Sequence, residues 1–288
     1  MTTITITRAG PLATLQDAGR FGMLAQGISA SGPMDRGAFA AAGAALGRAG
    51  RTAIEFSQTL AFTVDAPLRL AVAGGAFRLA VNDRPRRWPA VVRLAAGDTV
   101  AISPGETGNY GYVRFERQID IAPVLGSCST NVTVGLGGFK GRALRAGDRL
   151  RLGEMGQPAV AAGTAASDGP IRFVWGLHAE LFAPTLRQRL AEAEFIVSPN
   201  LDRMGVRLLD SAGLFREQRR LTLVSDAIVP GDIQILGDGT PIVLMRDHQP
   251  TGGYPRIATI VSADLDRFAQ MRPGATIRFR PVTLEHAR

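Results

Sequence analysis

Short segments in which apolar and polar residues alternate recur along this chain, and they constrain its fold more than any other feature. A period of two residues is typical of strands that bury one face. Glycine or proline lies in nearly every gap between the eight clearest segments, which are 4–7, 68–73, 91–94, 110–115, 171–175, 221–224, 242–245 and 257–261. Many short strands joined by turns favour barrels or sandwiches. The pattern therefore predicts a mainly β protein.

Helical patterns are few by comparison. One helix is predicted after Asp35, through an alanine-rich run to Leu46, a second over residues 185–194, and a short third with Asp264 as its cap. Aspartate is favoured at the start of a helix because its side chain accepts a hydrogen bond from a free backbone N–H group. The chain is thus expected to contain a few short helices among many strands.

A phrase that combines a turn with an alternating strand occurs three times, at 94–102, 144–152 and 271–279. The glycine in each copy supplies turn geometry that other residues adopt only with strain. The aspartate that follows it in the first two copies can bond its own backbone. The last two copies close the two halves into which the chain is expected to divide.

A small, polar and unpatterned segment at 154–170 is the natural linker between these halves. It predicts an N-terminal β domain over 1–153 and a C-terminal β domain over 171–288, both of ordinary domain size. A cleft between two lobes is a usual place for a ligand site. We therefore expect polar groups from separate turns to meet at that junction.

Residue counts exclude several kinds of site. Cys128 is the only cysteine, so neither an internal disulfide nor a cysteine-based zinc cluster is possible. The three histidines are far apart and lack metal-binding spacing. Lys140, the only lysine, stands in no Walker motif, and no Gly-x-Ser-x-Gly elbow occurs. We predict no metal site and a small buried hydrophobic role for Cys128.

The charge pattern points to small anions rather than nucleic acids. The net charge is +8, yet aromatic residues are only 6% and the arginine clusters at 84–87 and 219–220 are isolated, so stacking platforms are missing. An anionic small substrate or an acidic partner surface fits better. No apolar run approaches a membrane helix, and the alternating N-terminus is unlike a secretory signal. We expect a cytoplasmic protein that binds neither nucleic acid nor membrane.

The first of four polar, glycine-rich loops covers 14–35 and contains Asp17, Arg20, Ser31 and Asp35. Its glycines allow close backbone approach, while Asp17 and Arg20 can pair with each other or with a ligand carboxylate. We predict that all four residues bind a substrate or anion. A structural ion pair that stabilises the turn is the alternative.

The second loop covers 124–142 and contains Ser127, Ser129, Thr130 and Lys140. Clustered hydroxyl groups and backbone N–H groups in a glycine-rich loop can hold an anion, and the lysine adds charge. These four residues are also predicted to bind the substrate or an anion. A plain connection between strands is the alternative.

Two further loops, 198–207 and 245–256, carry the densest polar groups of the chain. Because functional residues are concentrated on loops, we rank the second of them as the strongest candidate site. The predicted catalytic residues of the two loops are Asp202, Arg203, Asp247 and Gln249. The predicted substrate-binding residues are Thr251, Gly252, Gly253 and Tyr254. A role confined to turn formation is the alternative.

Seven motifs lie in a fixed order along nearly the whole chain: Thr14-Leu-Gln-Asp-Ala-Gly-Arg20, Ser31-Gly-Pro-Met-Asp35, Val124-Leu-Gly-Ser127, Gly135-Leu-Gly-Gly-Phe139, Asp202-Arg-Met-Gly205, Gly231-Asp-Ile-Gln234 and Thr251-Gly-Gly-Tyr-Pro255. Together they resemble the family of 5-oxoprolinase C subunits, also called the biotin-dependent carboxyltransferase or allophanate hydrolase subunit 2 domain family. The carboxyltransferase domain of urea amidolyase is similar. The family pattern has an Arg at position 128, an Asp at 131 and a Thr at 250, where this chain has Cys128, Asn131 and Pro250. These departures leave open a different amide or lactam as the substrate.

The resemblance implies a fold and an activity. The fold is two cyclophilin-like β-barrel domains with a few short helices, in a complex with B-type and A-type subunits. The activity is ATP-dependent hydrolysis of 5-oxoproline to glutamate, with ATP bound in part by the partner. The alternative is a carboxyltransferase that moves a carboxyl group from carboxybiotin to urea or a related amide, and only this alternative requires biotin. A regulatory binding subunit is the second alternative.

Overall fold

The computed structural model describes residues 2–160, 169–216 and 223–287, and these form two units. The first unit contains residues 2–20 and 31–160. The second contains residues 21–30 together with the described residues from 169 onward. The chain therefore leaves the first unit for ten residues and returns to it before its longest helix.

Two antiparallel sheets build the first unit. Seven strands form one sheet, in the spatial order β12 (Arg117–Ile119), β13 (Arg149–Met155), β1 (Thr2–Ala9), β5 (Leu60–Val64), β10 (Thr99–Pro104), β7 (Phe77–Val81) and β8 (Arg84–Arg86). Five strands form the other, in the order β2 (Thr14–Gln16), β4 (Ala53–Phe56), β11 (Gly111–Phe115), β6 (Leu68–Gly74) and β9 (Ala90–Leu94). A separate pair joins β3 (Arg48–Ala49) to β14 (Gln157–Pro158).

The core of the first unit follows from the alternation in its sequence. Ile4 and Ile6 of β1 are fully buried, whereas the threonines between and after them face outward. Phe62 of β5 and Phe115 of β11 meet edge to face, with ring centroids 6.1 Å apart. One apolar cluster thus draws residues from both sheets. Burial of each such aromatic or branched side chain contributes about 1.5–3 kcal/mol relative to leaving it in water.

A closed seven-stranded barrel forms most of the second unit. Its strands are, in order, β15 (Ile171–Trp175), β22 (Arg256–Ile260), β19 (Asp232–Ile235), β20 (Pro241–Leu244), β17 (Gly205–Leu209), β16 (Glu194–Leu201) and β23 (Thr276–Pro281). A parallel pairing of β15 with β23 closes the ring. The short strands β18 (Asp226–Ala227) and β21 (Thr251–Gly252) pair outside it. The prediction of a mainly β, barrel-type fold is confirmed.

Four helices accompany the strands in the described ranges: α1 (Arg36–Leu46), α2 (Gly138–Gly141), α3 (Pro184–Glu192) and α4 (Ser262–Ala269). Single 3-10 turns occur at Leu24–Gln26, Ala179–Leu181 and Leu284–Ala287. The three predicted helices are all present, and Asp35 caps α1 as expected. The cap predicted at Asp264 is wrong, because this residue lies inside α4 and its carboxylate accepts hydrogen bonds from the backbone N–H and guanidinium of Arg172.

The three repeated phrases fold as the same turn. Gly97, Gly147 and Gly274 have positive φ values of 86°, 90° and 86°. Each glycine N–H donates to a carbonyl of a neighbouring strand, at 2.8, 2.8 and 2.9 Å. In the first two copies the following aspartate accepts a hydrogen bond from the backbone N–H three residues before it, at 2.7 Å in both. The predicted turn chemistry is therefore confirmed.

The segment predicted as a linker belongs in part to the first unit. Residues 154 and 155 complete β13, and residues 157 and 158 form β14, while 161–168 lie outside the described residues. The strand predicted at 221–224 begins in another stretch outside the description, and Leu223 and Val224 are not in a strand. Among the described residues no helix is long and apolar enough to cross a membrane.

Candidate functional site

The carboxylate of Asp17 binds the loop at 127–129. It accepts hydrogen bonds from the hydroxyl groups of Ser127 at 2.5 Å and Ser129 at 2.7 Å, from the backbone N–H of Cys128 at 2.6 Å, and from that of Gly19 at 3.1 Å. Burial raises the pKa of Asp17, but these hydrogen bonds outweigh it and hold the pKa below the usual value of 3.8. Asp17 is therefore an ionised group that fixes this loop.

The side chain of Arg20 binds backbone carbonyl groups of the same loop. Its side chain, which is 2% exposed, donates to the carbonyl oxygens of Val124 at 3.0 Å, Ser127 at 3.2 Å and Ser129 at 3.0 Å. The hydroxyl of Thr130 donates to the carbonyl of Gly138 at 2.9 Å. The structure thus brings the first and second predicted loops together. The hydroxyl groups of Ser127, Ser129 and Thr130, which were predicted to bind an anion, make hydrogen bonds within the protein.

The segment from Ser31 to Asp35 is held by buried side chains that the sequence analysis did not single out. Gln16 accepts from the Gly32 N–H at 3.2 Å, and Glu55 accepts from the Met34 N–H at 2.8 Å. Gln16 stood within the recognised motif at 14–20, whereas Glu55 had only a weak signal, because a lone polar residue within a short apolar strand is also typical of an outward-facing position.

Tyr112 completes this support. Its hydroxyl accepts from the Asp35 N–H at 2.8 Å and donates to the Glu55 carboxylate at 2.7 Å. Burial, with a smaller effect from the charges of Glu55 and Asp35, raises the pKa of Tyr112 well above its usual value, so the phenol keeps its proton. Asp35 itself accepts from the Ala38 N–H at 2.8 Å, which places its carboxylate at the start of α1.

Ser31 and Lys140 occupy unusual backbone conformations. Ser31 has φ of 56°, and its side chain is buried. Phe139 and Lys140, in α2, have φ of 48° and 62°. Left-handed conformations in residues other than glycine are rare and are concentrated at functional sites. Lys140 is exposed and lines a groove of ≈ 400 Å³ in the first unit, together with Arg149 and Arg151.

In the second unit, a buried ion pair connects the third and fourth predicted loops. Arg203 donates to both carboxylate oxygens of Asp247, with its Nε at 2.7 Å from Oδ2 and its Nη2 at 3.0 Å from Oδ1. The two side chains are 4% and 3% exposed. The Asp247 N–H also donates to the Arg203 carbonyl, at 2.7 Å. The guanidinium and the carboxylate of this pair are hydrogen-bonded to each other, and the pair thereby positions the two loops.

A groove of ≈ 560 Å³ lies beside this ion pair, at the ends of β16, β17 and β20. Three predicted residues line it, namely Asp202, Gln249 and Tyr254. Asp202 accepts at one carboxylate oxygen from the backbone N–H groups of Met204 at 2.7 Å and Gly205 at 3.1 Å. Its side chain is thereby fixed at the groove wall.

Gln234 and Arg207 also line this groove, and the sequence analysis missed both. The Gln234 side chain is buried in β19 and donates to the Tyr254 carbonyl at 3.4 Å. A side chain at Gly252 would collide with the Gln234 amide. A larger residue at this position would therefore displace the Gln234 amide from its present place. Gln234 did stand within a recognised motif, Gly231-Asp-Ile-Gln234, and that motif was its one available signal.

The remaining residues of the fourth loop shape its rim. Thr251 and Gly252 form β21, and the Gly253 carbonyl accepts from the Leu223 N–H at 2.8 Å. His248 is 3% exposed, and its burial lowers its pKa below the usual 6.5, so the imidazole is neutral at pH 7. Within the loop, therefore, Gln249 and Tyr254 reach the groove, while Asp247 and His248 lie beneath it.

Cys128 is fully buried, and burial raises the pKa of its thiol. Over residues 2–160, 169–216 and 223–287, no three His, Cys, Asp or Glu side chains are grouped so that they could hold a metal ion. The predicted residues thus fall into one set in each unit, and the groove lined by predicted catalytic residues lies within the second.

Comparisons with known proteins match nearly the whole chain. The sequence model of the family described as carboxyltransferase domain, subdomain A and B, matches residues 26–281. The chain is 35% identical to the 5-oxoprolinase C subunit of Escherichia coli K12 over 98% of this chain and 92% of that protein. It is 34% identical to the 5-oxoprolinase C subunit of Haemophilus influenzae over 96% and 90%.

Solved structures extend the likeness to larger proteins. The crystal structure of Kluyveromyces lactis urea carboxylase has a TM-score of 0.88 and 25% identity. The match covers 99% of this chain and 28% of the carboxylase chain. The crystal structure of K. lactis urea amidolyase has a TM-score of 0.89 and 25% identity. This match covers 99% of the present chain and 19% of the amidolyase chain. This chain therefore belongs to the carboxyltransferase domain family, subdomain A and B.

Proposed function

We propose that this chain is the C-type subunit of an ATP-dependent 5-oxoprolinase, which opens the lactam of 5-oxoproline to glutamate together with B-type and A-type subunits. The proposal rests on sequence similarity that extends over nearly the full length of a 5-oxoprolinase C subunit. The match to the C subunit of Escherichia coli 5-oxoprolinase covers 92% of that protein, whereas the match to Saccharomyces cerevisiae urea amidolyase covers 17%. A free-standing subunit is thus better supported than one domain of a multidomain carboxylase.

The groove beside the Arg203–Asp247 pair has the polar groups that a small lactam needs. The amides of Gln234 and Gln249 each offer a donor and an acceptor, which suit the C=O and N–H groups of a lactam. Arg207 supplies a positive charge for the carboxylate of the substrate. We assign these three residues to binding and orientation.

Asp202 is the group in this groove suited to proton transfer. Backbone N–H groups hold one of its carboxylate oxygens, so the other is directed away from its own turn. A positioned carboxylate that accepts a proton from the attacking water contributes about 10²–10⁴-fold to a hydrolytic rate. The Arg203–Asp247 pair acts through the position of Asp202 and Gln249, because it fixes the two loops that carry them.

When bound, ATP would supply a phosphoryl group to the lactam oxygen, which would activate the carbonyl carbon toward water; the lactam C–N bond would then break, and the phosphate would be released. The groove of the first unit suits the phosphates of a nucleotide, since Lys140, Arg149 and Arg151 are among its lining residues and outnumber its one carboxylate, Asp120, which pairs with Arg151 at 3.6 Å. It offers no Walker loop, which accords with a site completed by the partner protein. We therefore propose that Lys140 binds a phosphate oxygen in the assembled enzyme.

The decisive experiment is reconstitution. Co-expression with B-type and A-type subunits is expected to give 5-oxoproline-dependent ATP hydrolysis that this chain lacks alone. Asp202→Asn is expected to lower kcat by about 10²-fold in complexes that still assemble. Glu285→Gln is the matched control, because Glu285 is an exposed carboxylate remote in sequence from every predicted loop. A complete complex with no such turnover would refute the proposal.

A carboxyltransferase role is the second candidate, favoured by the TM-score of 0.89 to urea amidolyase. In this role the same groove would hold urea or a related amide. The test is transfer of labelled bicarbonate to urea by the chain in the presence of a biotinylated carrier and a biotin carboxylase. Label transfer without 5-oxoproline turnover would replace the first proposal by the second.

A further inference from the structure

Three arginines surround a trough on the outer face of the seven-stranded sheet. Arg8 stands on β1, Arg78 on β7 and Arg86 on β8, and all three side chains are exposed. They line one concave surface of ≈ 860 Å³. The sequence showed only the cluster around Arg86, because the other two arginines lie far from it along the chain.

The floor of the trough is a row of small side chains. Arg8 is in register with Ala61 of β5, Ala61 with Ala101 of β10, and Ala101 with Ala80 of β7. Three adjacent alanines on the outward face leave a depression that larger side chains would fill. At about 4.8 Å between strands, this floor separates Arg8 from β7 by about 14 Å.

One wall of the trough is a rigid aromatic side chain. The Trp88 indole is half-buried, packs against the Phe77 ring in a tilted arrangement with centroids 5.3 Å apart, and donates to the Gly74 carbonyl at 3.4 Å. Fixed aromatic walls are typical of surfaces that bind a partner, because they lose little side-chain freedom on contact. The trough therefore has both an apolar and a cationic component.

The charge of the trough is unbalanced. No acidic side chain is among its lining residues. Within the part of the chain that the structure describes, Arg8, Arg78 and Arg86 make no ion pair or hydrogen bond with a carboxylate. Asp98 interacts electrostatically with Arg86, but Asp98 already accepts hydrogen bonds from Asn82 at 2.7 Å and from the Ala95 N–H at 2.7 Å. The surface is thus complementary to negative charge.

We propose that this trough docks an extended acidic segment of a partner protein. Charge complementarity identifies the chemistry, since cations on both sides of the floor fit carboxylates spaced along an extended chain. The strands of Arg8 and Arg78 lie about 14 Å apart, so a peptide with several carboxylates can meet both arginines with their side chains extended away from each other. An extended chain advances about 3.3 Å per residue, so four to five residues span the floor, and the alanines let its backbone lie close to the sheet.

A labelled octaglutamate peptide tests the proposal on the full-length chain, by fluorescence anisotropy at about 50 mM salt, where surface charges are weakly screened. Arg78→Gln/Arg86→Gln is expected to weaken binding about tenfold. Arg93→Gln/Arg280→Gln is the matched control, because it removes the same charge at exposed arginines outside the trough. Ala101→Leu fills the floor with no change of charge and is expected to weaken binding as well.

Each other outcome overturns the proposal. Equal weakening by the control pair would show a general effect of net charge, and unchanged binding in Ala101→Leu would show that the floor takes no part. Inorganic tripolyphosphate that displaces the peptide at equal concentration would identify a small-anion site instead, and a single-stranded oligonucleotide that binds more tightly than the peptide would identify a nucleic-acid surface. Absence of peptide binding to the unaltered chain would also refute it.

Discussion

At the scale of single residues, buried charges in this protein act as connectors. Asp17 and Arg203 were predicted to meet a ligand, and in the structure their side chains bind distant loops of the same unit. A buried ion must be satisfied by hydrogen bonds or an opposite charge, since desolvation costs several kcal/mol. Loops that carry exposed polar groups are held in place by such buried partners.

Replacement of Asp17 by asparagine tests this role through pH. The pKa of Asp17 is 3.8 in the unfolded chain and lower in the folded chain, so the stabilisation is complete above about pH 5 and is lost as pH falls from there through the folded-state pKa. Asp17→Asn is expected to lower the free energy of unfolding by about 2 kcal/mol at pH 7.

Urea unfolding at pH 7, 5, 4 and 3 measures the effect. The gap in unfolding free energy between Asp17→Asn and the unaltered chain should narrow toward pH 3, because protonation of Asp17 then removes from the unaltered chain the negative charge that the variant already lacks. A gap of constant size would contradict the assignment of the stabilisation to the ionised carboxylate.

The Arg203–Asp247 pair is expected to show the energetics of a buried ion pair. Asp247→Asn should lower the free energy of unfolding by about 3 kcal/mol, because a buried guanidinium loses its counter-charge. The double variant Arg203→Met/Asp247→Leu should recover most of this loss.

The exposed Arg278–Glu194 pair is the control, since its side chains are 64% and 52% exposed. Arg278→Gln should lower the free energy of unfolding by less than about 1 kcal/mol. Thermal and urea unfolding of these variants check the comparison. A larger loss in the double variant than in Asp247→Asn would contradict it.

At the scale of elements, the repeated turn sets the start of three strands whose side chains point alternately to solvent and to the core. The first four residues alternate between exposed and buried, starting with an exposed one, in each of β10, β13 and β23. The turn glycine fixes where the strand begins, and a shift by one residue would move every apolar side chain to the wrong face. The repeat therefore specifies register as well as chain reversal.

Two glycines near β13 allow the effect of backbone conformation on stability to be measured separately from the effect of side-chain packing. Neither Gly147 nor Gly153 has an atom within 4 Å of the position of an added Cβ, but only Gly147 has a positive φ. Gly147→Ala is expected to lower the free energy of unfolding by about 1–2 kcal/mol because of left-handed strain. Gly153→Ala should change it little. Equal effects in urea unfolding would show that the turn conformation is not the cause.

At the scale of the whole molecule, the limit of the first folding unit lies beyond the predicted boundary at residue 153. Met155 pairs with Arg117, the Gly156 N–H donates to the Glu116 carbonyl at 2.7 Å, and the Ala159 N–H donates to the Gly47 carbonyl at 3.0 Å. These bonds join the last described residues of the unit to its sheets and to the end of α1. We propose that the domain requires residues up to 160.

Fragments 1–153 and 1–160 test the boundary. Loss of about three backbone hydrogen bonds is expected to lower the stability of the shorter fragment by about 3 kcal/mol, which corresponds to about 5–10 °C in Tm. Both fragments contain residues 21–30, so this segment cannot cause the difference. Equal melting temperatures would place the boundary where the sequence predicted it.

The sequence alone determined many of the local elements of this protein. Alternation predicted several of the strands, the cap at Asp35 predicted the start of α1, and the glycine of each repeat predicted a turn with positive φ. These features depend on a residue and its near neighbours, through the two-residue period of a strand and the freedom of glycine. The family motifs also marked the loops at 198–207 and 245–256, which meet in the second unit.

Only the tertiary structure decided which groups come together. Asp17 reaches Cys128 across 111 residues, Gln234 enters a groove with Asp202, and Arg8, Arg78 and Arg86 meet around one trough because their strands share a sheet. The physical reason is that strand pairing joins residues without regard to their separation along the chain. Local propensity determines that a strand forms, whereas register and closure of the sheet determine its neighbours.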